Sequence, residues 1–182
     1  MKNLKKIIAP LIMSAMLLPL SHCTLFEHDI DGELSASIPV DESKQDQNIQ
    51  YSNSMNLSAN SDKDIKDNLD KIKGWTVQQI SYSITGYNDD PSTSFSGTLG
   101  FSRRSANSPT ITASVTNLIF DNVSDNGQKY KVNLSETDLA GLAKILDSDQ
   151  EIKVYWNGTL SQGPVSCSVK VYAKVKIKAK LF

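Results

Sequence analysis

From Cys167 to Leu181 the chain alternates strictly between two chemistries. Cys167, Val169, Val171, Ala173, Val175, Ile177, Ala179 and Leu181 fall on one side. Ser168, Lys170, Tyr172, Lys174, Lys176, Lys178 and Lys180 fall on the other. A period of two sends successive side chains to opposite faces, so this stretch is a half-buried strand with an apolar floor and a basic comb. At ~3.3 Å per residue it runs for roughly 50 Å, well beyond an ordinary strand. A strand so long and so one-sided requires paired neighbours and a second layer over its floor.

The rest of the chain supplies further strands. Leu34, Ala36, Ile38 and Val40 alternate with Ser35, Ser37 and Pro39. Pro39 lacks an amide proton, which places that strand at an edge. Asp41 to Asn48 reads as a polar loop, and Tyr51, Met55 and Leu57 mark a weaker strand. Ser61, with Asp64 three residues on, opens a helix carrying Ile65, Leu69 and Ile72 on one face, and Gly74 suits its end. Trp75 and Val77 begin a strand whose phase slips to Ile80, Tyr82 and Ile84, which calls for a bulge near Gln78-Gln79. After a turn at Asn88 to Pro91, Phe95, Gly97, Leu99 and Phe101 continue the sheet, followed by a loop over Arg103 to Pro109. Thr110 to Val123 reads as one long strand, and Asp125-Asn126-Gly127 as a tight hairpin into Tyr130, Val132 and Leu134.

Ser135 and Asp138 open a second helix with a stripe of Leu139, Leu142, Ala143 and Leu146. Ile152, Val154 and Trp156 alternate in the next strand, and Gly163-Pro164 turns the chain. About eight strands with two short connecting helices predict a mainly β protein, an antiparallel β-sandwich. The two helix starts, each followed by a strand bearing Trp75 or Trp156, also suggest two strand–helix–strand halves packed face to face.

The first 23 residues follow a different pattern. Lys2, Lys5 and Lys6 precede an apolar run, Ile7 to Leu20, broken only by Pro10, Ser14 and Pro19. The run is too short to span a bilayer as a helix and reads as an export signal. Its ending, Leu20-Ser21-His22-Cys23, resembles the lipobox of bacterial lipoproteins, with His22 where that pattern carries a small residue. The resemblance implies that Cys23 is lipidated and becomes the N-terminus of the exported chain. Thr24 is not the acidic residue that retains some lipoproteins at the inner membrane, which favours the outer membrane. The expected organisation is a lipoprotein signal peptide over residues 1–22, a lipidated tether over 23–32 and a β-sandwich domain over 33–182. The order of features from Leu57 to Phe182 is also similar to small uncharacterised cell-envelope lipoproteins. The shared features are a capped helix, a Ser-Gly-Thr-Leu strand like Ser96 to Leu99, and a last strand after a Gly-Pro turn. That resemblance implies no activity.

Composition narrows the chemistry. Without the three lysines of the signal, 16 basic side chains face 20 acidic ones, a net charge of −4 that does not suit a nucleic-acid binder. Cys167 lies on the apolar side of its strand and reads as a buried, inert thiol. The two histidines, His22 and His28, fall in the signal and the tether, which argues against histidine-based catalysis or metal binding in the domain. Asp89-Asp90 and Asp121/Asp125 sit in expected turns, where Asp has a local structural use. The Asp121 to Gly127 segment places Val123 where a calcium loop needs an oxygen ligand. The expectation is therefore a non-enzymatic, lipid-anchored cell-envelope protein with a binding or structural role, no catalytic residue, no cofactor and no metal. Its partners would be the membrane, through the anchor, and a protein or glycan. One alternative is a small-ligand or glycan-binding module contacting its ligand through Tyr155, Tyr172, Lys174, Lys176 and Lys178. The other is a carboxylate-based hydrolase.

Overall fold

The computed structural model describes residues 27–125 and 127–180. The signal, Cys23 and residues 181–182 lie outside the described residues. In chain order the elements are β1 (Glu27–Glu42), β2 (Gln47–Ser58), α1 (Lys63–Lys66), β3 (Ile72–Thr85), β4 (Ser94–Ser102) and β5 (Ile111–Ile119). They continue with α2 (Phe120–Val123), β6 (Tyr130–Lys131), α3 (Glu136–Asp149), β7 (Glu151–Gln162) and β8 (Val165–Lys180). Two 3-10 turns, Ala59–Ser61 and Leu69–Lys71, flank α1.

The strands form two four-stranded sheets, ordered β1-β8-β3-β6 and β2-β7-β4-β5, with every ladder antiparallel. The expected β-sandwich is thus formed, and its strand order is that of a jelly roll, two interlocked Greek keys. The expected halves do not pack face to face. Each half of the chain gives two strands to each sheet, and the strands interleave. Advancing every strand number by four nevertheless converts one sheet order into the other, which makes β3, bearing Trp75, equivalent to β7, bearing Trp156.

The long alternating strand, β8, lies between β1 and β3, and its apolar column is buried from Val165 to Ala179. Opposite it, the core centres on Trp156, whose ring stacks on Phe95 at 4.3 Å between centroids and 20° between planes. Gly97 and Gly158 face each other across β4 and β7 and leave the space that the Phe95 ring occupies. A Cβ on Gly97 would stand 2.2 Å from the Asn157 carbonyl oxygen and 2.8 Å from the Phe95 ring.

Several elements depart from the sequence reading. Residues 27–32, expected as tether, belong to β1 and pair with Lys180 to Val175. Their acidic residues alternate with His28, Ile30 and Gly32, and the single Ile30 is too little apolar signal to mark a strand. The first helix is one turn, capped by Asp62 rather than Ser61: the Ile65 N–H donates to Asp62 Oδ1 at 3.1 Å. Ile72 and Gly74 belong to β3, and the register shifts between them, so Gly74 marks an irregularity of the strand rather than a helix end. The bulge near Gln78-Gln79 is present as a shift between Val77 and Gln79.

No hairpin joins β5 to β6, because they lie in different sheets. The long strand expected to Val123 stops at Ile119, where α2 turns Phe120 and Val123 into the core. The Phe120 ring then meets Tyr87 edge-on at 5.3 Å. Asp125 carries the chain to the other sheet: its N–H donates to the Ile84 carbonyl at 3.1 Å, and its carboxylate accepts from the Gly86 N–H. The second helix starts where expected. Ser135 and Asp138 form a reciprocal capping box at the start of α3.

The slot made by the paired glycines sets a limit on packing. Gly97→Ala is expected to lower stability by about 2 kcal/mol or more, the scale of overpacking a close-packed core. The urea midpoint checks it, with Gly74→Ala, where a Cβ meets nothing within 4 Å and the backbone φ is not left-handed, as the milder comparison.

Candidate functional site

The lysine comb of β8 has a counterpart. Along the outer face of the β1-β8-β3-β6 sheet, Glu27 stands opposite Lys180, Asp29 opposite Lys178, Asp31 opposite Lys176 and Glu33 opposite Lys174. Residues opposite one another in an antiparallel pair share a face, so a column of acids runs beside a column of lysines. Lys176 reaches diagonally to Asp29 at 3.5 Å, and Lys129, from the loop before β6, pairs with Glu33. The acids that read as a tether are the partners of the comb.

Tyr172 lies in the next row of this face. Its ring carries the Lys129 ammonium at 3.9 Å and Lys170 at 5.3 Å, and its hydroxyl meets Ser83 Oγ at 3.2 Å. Lys174 and Lys178 are exposed, and Lys176 is half-buried. Tyr155, expected at the surface, is buried at 6% exposure. The loop between β4 and β5 folds over it, and its hydroxyl donates to the Ala106 carbonyl at 2.7 Å. The five expected contact residues are therefore not brought together. Tyr155 lies on the sheet opposite the other four; of those, Tyr172 is engaged by Lys129 and Lys170 and Lys176 by Asp29, while Lys174 and Lys178 are exposed opposite Glu33 and Asp29.

The groups that chemistry would require are likewise in structural use. The Asp89 carboxylate accepts the Ser166 N–H at 2.7 Å. Asp90 accepts the Ser92 hydroxyl at 2.6 Å and its N–H at 2.8 Å, and these bonds hold its carboxyl below the usual range. Burial, and then the charges of Asp89 and Asp125, push the Cys167 thiol up to about 12. His28 falls inside β1 rather than a tether, so the domain does contain a histidine, exposed at the strand's end. No group of three or more His, Cys, Asp or Glu that could hold a metal exists among the described residues.

The sequence reading missed one depression. A groove of about 450 Å³ lies between α3 and the first half of β3. It touches Trp75 and Val77, which share the inward column of β3, and also Gly74 and Thr76 on the opposite face. A groove that contacts both faces of a strand runs along its edge. The helix contributes Leu139 and Ala143 to the wall and Glu136, Lys144 and Asp147 to the rim. Leu139 and Ala143 belong to the apolar stripe read from the sequence, but Leu142, Ile145 and Leu146 carry the buried contacts of the helix. The signal was an apolar stripe wider than the core could cover.

No protein-family profile and no curated protein matches the chain. Among solved structures, a chain of Desmodium yellow mottle tymovirus is similar at a TM-score of 0.40 and 10% identity, over 100% of this chain and 97% of that one. A likeness so slight carries no argument about function.

The charge columns predict a modest, salt-sensitive contribution. Lys174, Lys176 and Lys178 changed together to Gln should leave the fold intact and cost at most about 1–2 kcal/mol, given the small yield of exposed pairs. Asp29→Lys with Asp31→Lys should cost more, by placing like charges opposite each other. Faster amide exchange over residues 27–33, reduced by added salt, is the readout. For Cys167, a Cys23→Ala chain at about pH 8, where an ordinary thiol is partly ionised, should resist a disulfide reagent when native and react once unfolded in urea.

Proposed function

We propose that this protein is a non-enzymatic, lipid-anchored module of the cell envelope, held at the outer membrane through Cys23 and serving a binding or structural role. The observation that carries the reading is the place where the described chain enters the fold. Glu27 is already paired in β1, an edge strand, only four residues after Cys23. Four residues span at most about 14 Å, so a lipid at Cys23 would hold the sandwich against the bilayer rather than on a long leash. Two or more acyl chains on one cysteine supply the anchoring that a single chain does not, at ~0.8 kcal/mol per buried methylene.

The structural use of the domain's chemical groups supports a module rather than a catalyst. Asp89, Asp90 and Asp125 fasten turns, and the acids of β1 face lysines. The thiol of Cys167 stays protonated across the neutral range. Among the described residues, no helix is long and apolar enough to cross a membrane.

Cys23→Ala should release the protein from the membrane fraction and abolish incorporation of labelled palmitate, while the circular dichroism of the domain stays unchanged. Labelling that persists in Cys23→Ala overturns the anchor.

A further inference from the structure

We propose that the groove between α3 and β3 is a strand-acceptor site for an extended segment of another protein, apolar at alternate positions and basic at its ends. The proposal deepens the binding role above and rests on that reading, though not on the lipid anchor.

Three features define the occupant. The first is an open sheet edge. β6 covers only Ser81 and Tyr82 on the outer side of β3, and the Val132 N–H then bonds to the Ile80 carbonyl. From Ile72 to Gln79, β3 has no strand partner on that side among the described residues. In an antiparallel strand, residues alternate between its two edges in presenting their N–H and C=O groups. Such an edge recognises main chain, and an added strand would continue β6 along the same line.

The second feature is the lining. Trp75 is only half-buried, beside Leu139 and Ala143 of α3, and nothing stands within 4 Å of where a Cβ on Gly74 would be. A visiting strand can place alternate side chains on the apolar wall made by Trp75, Leu139 and Ala143. A volume near 450 Å³ holds a few aliphatic side chains, not a folded domain.

The third feature is charge. Glu136 and Asp147 mark the two ends of the helical wall and take part in no ion pair among the described residues. They are 11 residues apart on α3, or ~16 Å at the helical rise. An extended segment covers that distance in about five residues. Lys144 offsets one acid and leaves the rim net acidic. A strand with lysine or arginine at both ends complements it.

The edge of β1 argues that this opening is not mere neglect of an edge. There the Glu33 and Ser35 amides are capped by Asp62 and Ser61, and the Pro39 carbonyl accepts from Tyr51 and Asn53. Among the hydrogen bonds between described residues, no such cap falls on the β3 edge from Ile72 to Gln79.

The test uses the folded, exported chain and three synthetic peptides, followed by backbone amide shifts of residues 74–77 and by titration of intrinsic fluorescence. Lys-Val-Thr-Val-Ser-Val-Lys is expected to bind, shift those amides and change the emission of Trp75. Its glutamate-ended counterpart should bind at least about fivefold more weakly, as should the lysine peptide to Glu136→Gln/Asp147→Asn. A version with proline at the central valine should not bind. Ala140→Arg, at an exposed helical position beside the groove, should abolish binding with an unchanged melting temperature. Absence of binding by the lysine peptide, or equal binding by Ala140→Arg, overturns the proposal. So does sedimentation showing a dimer that Ala140→Arg dissociates, because the occupant would then be a second copy. Loss of peptide binding leaves palmitate labelling untouched, so failure here is distinct from failure of the anchor.

Discussion

The pairing of β8 with β1 carries two chemistries at once. On the inner side, Leu34, Ala36, Ile38 and Val40 meet Ala173, Val171, Val169 and Cys167, all buried. On the outer side, four acids meet four lysines. A slip of one residue would reverse the faces, sending the lysines into the core and the valines to water. The apolar column alone forbids that slip. A slip of two residues preserves the faces, and there the outer columns add selectivity, since Glu27 or Glu33 would lose its opposite lysine at the end of the row. Each exposed pair contributes only ~0.2–1 kcal/mol, so the columns tune register while burial supplies most of the stability.

The sheet built on that pairing has edges, and the chain closes them unevenly. At β1 the turn before α1 does two jobs. One Asp62 oxygen accepts the helix-capping Ile65 N–H, and the other accepts the Glu33 N–H from the strand edge at 3.0 Å. Gly32 makes the approach feasible, because a Cβ there would stand 2.5 Å from the Ile65 side chain. On the far side β6 is only two residues long, and α3 stands across a groove from the uncovered length of β3. The helix buries Leu142, Ile145 and Leu146 against the core and so fixes the far wall of that groove.

The periodic parts of the fold were legible in the sequence. β8, β7 and the first half of β4 read directly, because their inward residues are uniformly apolar, and the capping box of α3 could be read residue by residue. The misread segments share one physical cause: their structure is set by a distant partner. Glu27 to Gly32 has no apolar rhythm of its own and is a strand only because Val175 to Lys180 pairs with it. Ile72 fits the spacing of a helix face, but its register opposite Ala179 decides that it extends a sheet. Tyr155 alternates onto a polar face, and its burial depends on a loop some fifty residues earlier folding over it. The Asp125 turn has the composition of a hairpin, yet the burial of Phe120 and Val123 sends the chain to the other sheet. The groove was illegible for the same reason, since it lies between elements that the sequence does not show to be neighbours.

The anchor and the groove bear on each other through the register of β8. Glu27 pairs with Lys180, Ile72 with Ala179 and Trp75 with Ile177, so the start of β1 and the groove-lining part of β3 share one end of the same sheet. They are separated by the width of β8, roughly 10 Å from β1 to β3. A lipid on Cys23 would bring that end, rather than the opposite end with the Gly163-Pro164 turn, toward the bilayer. The strand-acceptor edge would then open within a few nanometres of the headgroups. An occupant reaching it there needs to be a short extended segment, because a folded partner would compete with the membrane for the same space. Basic ends suit that location because they complement Glu136 and Asp147 at the rim.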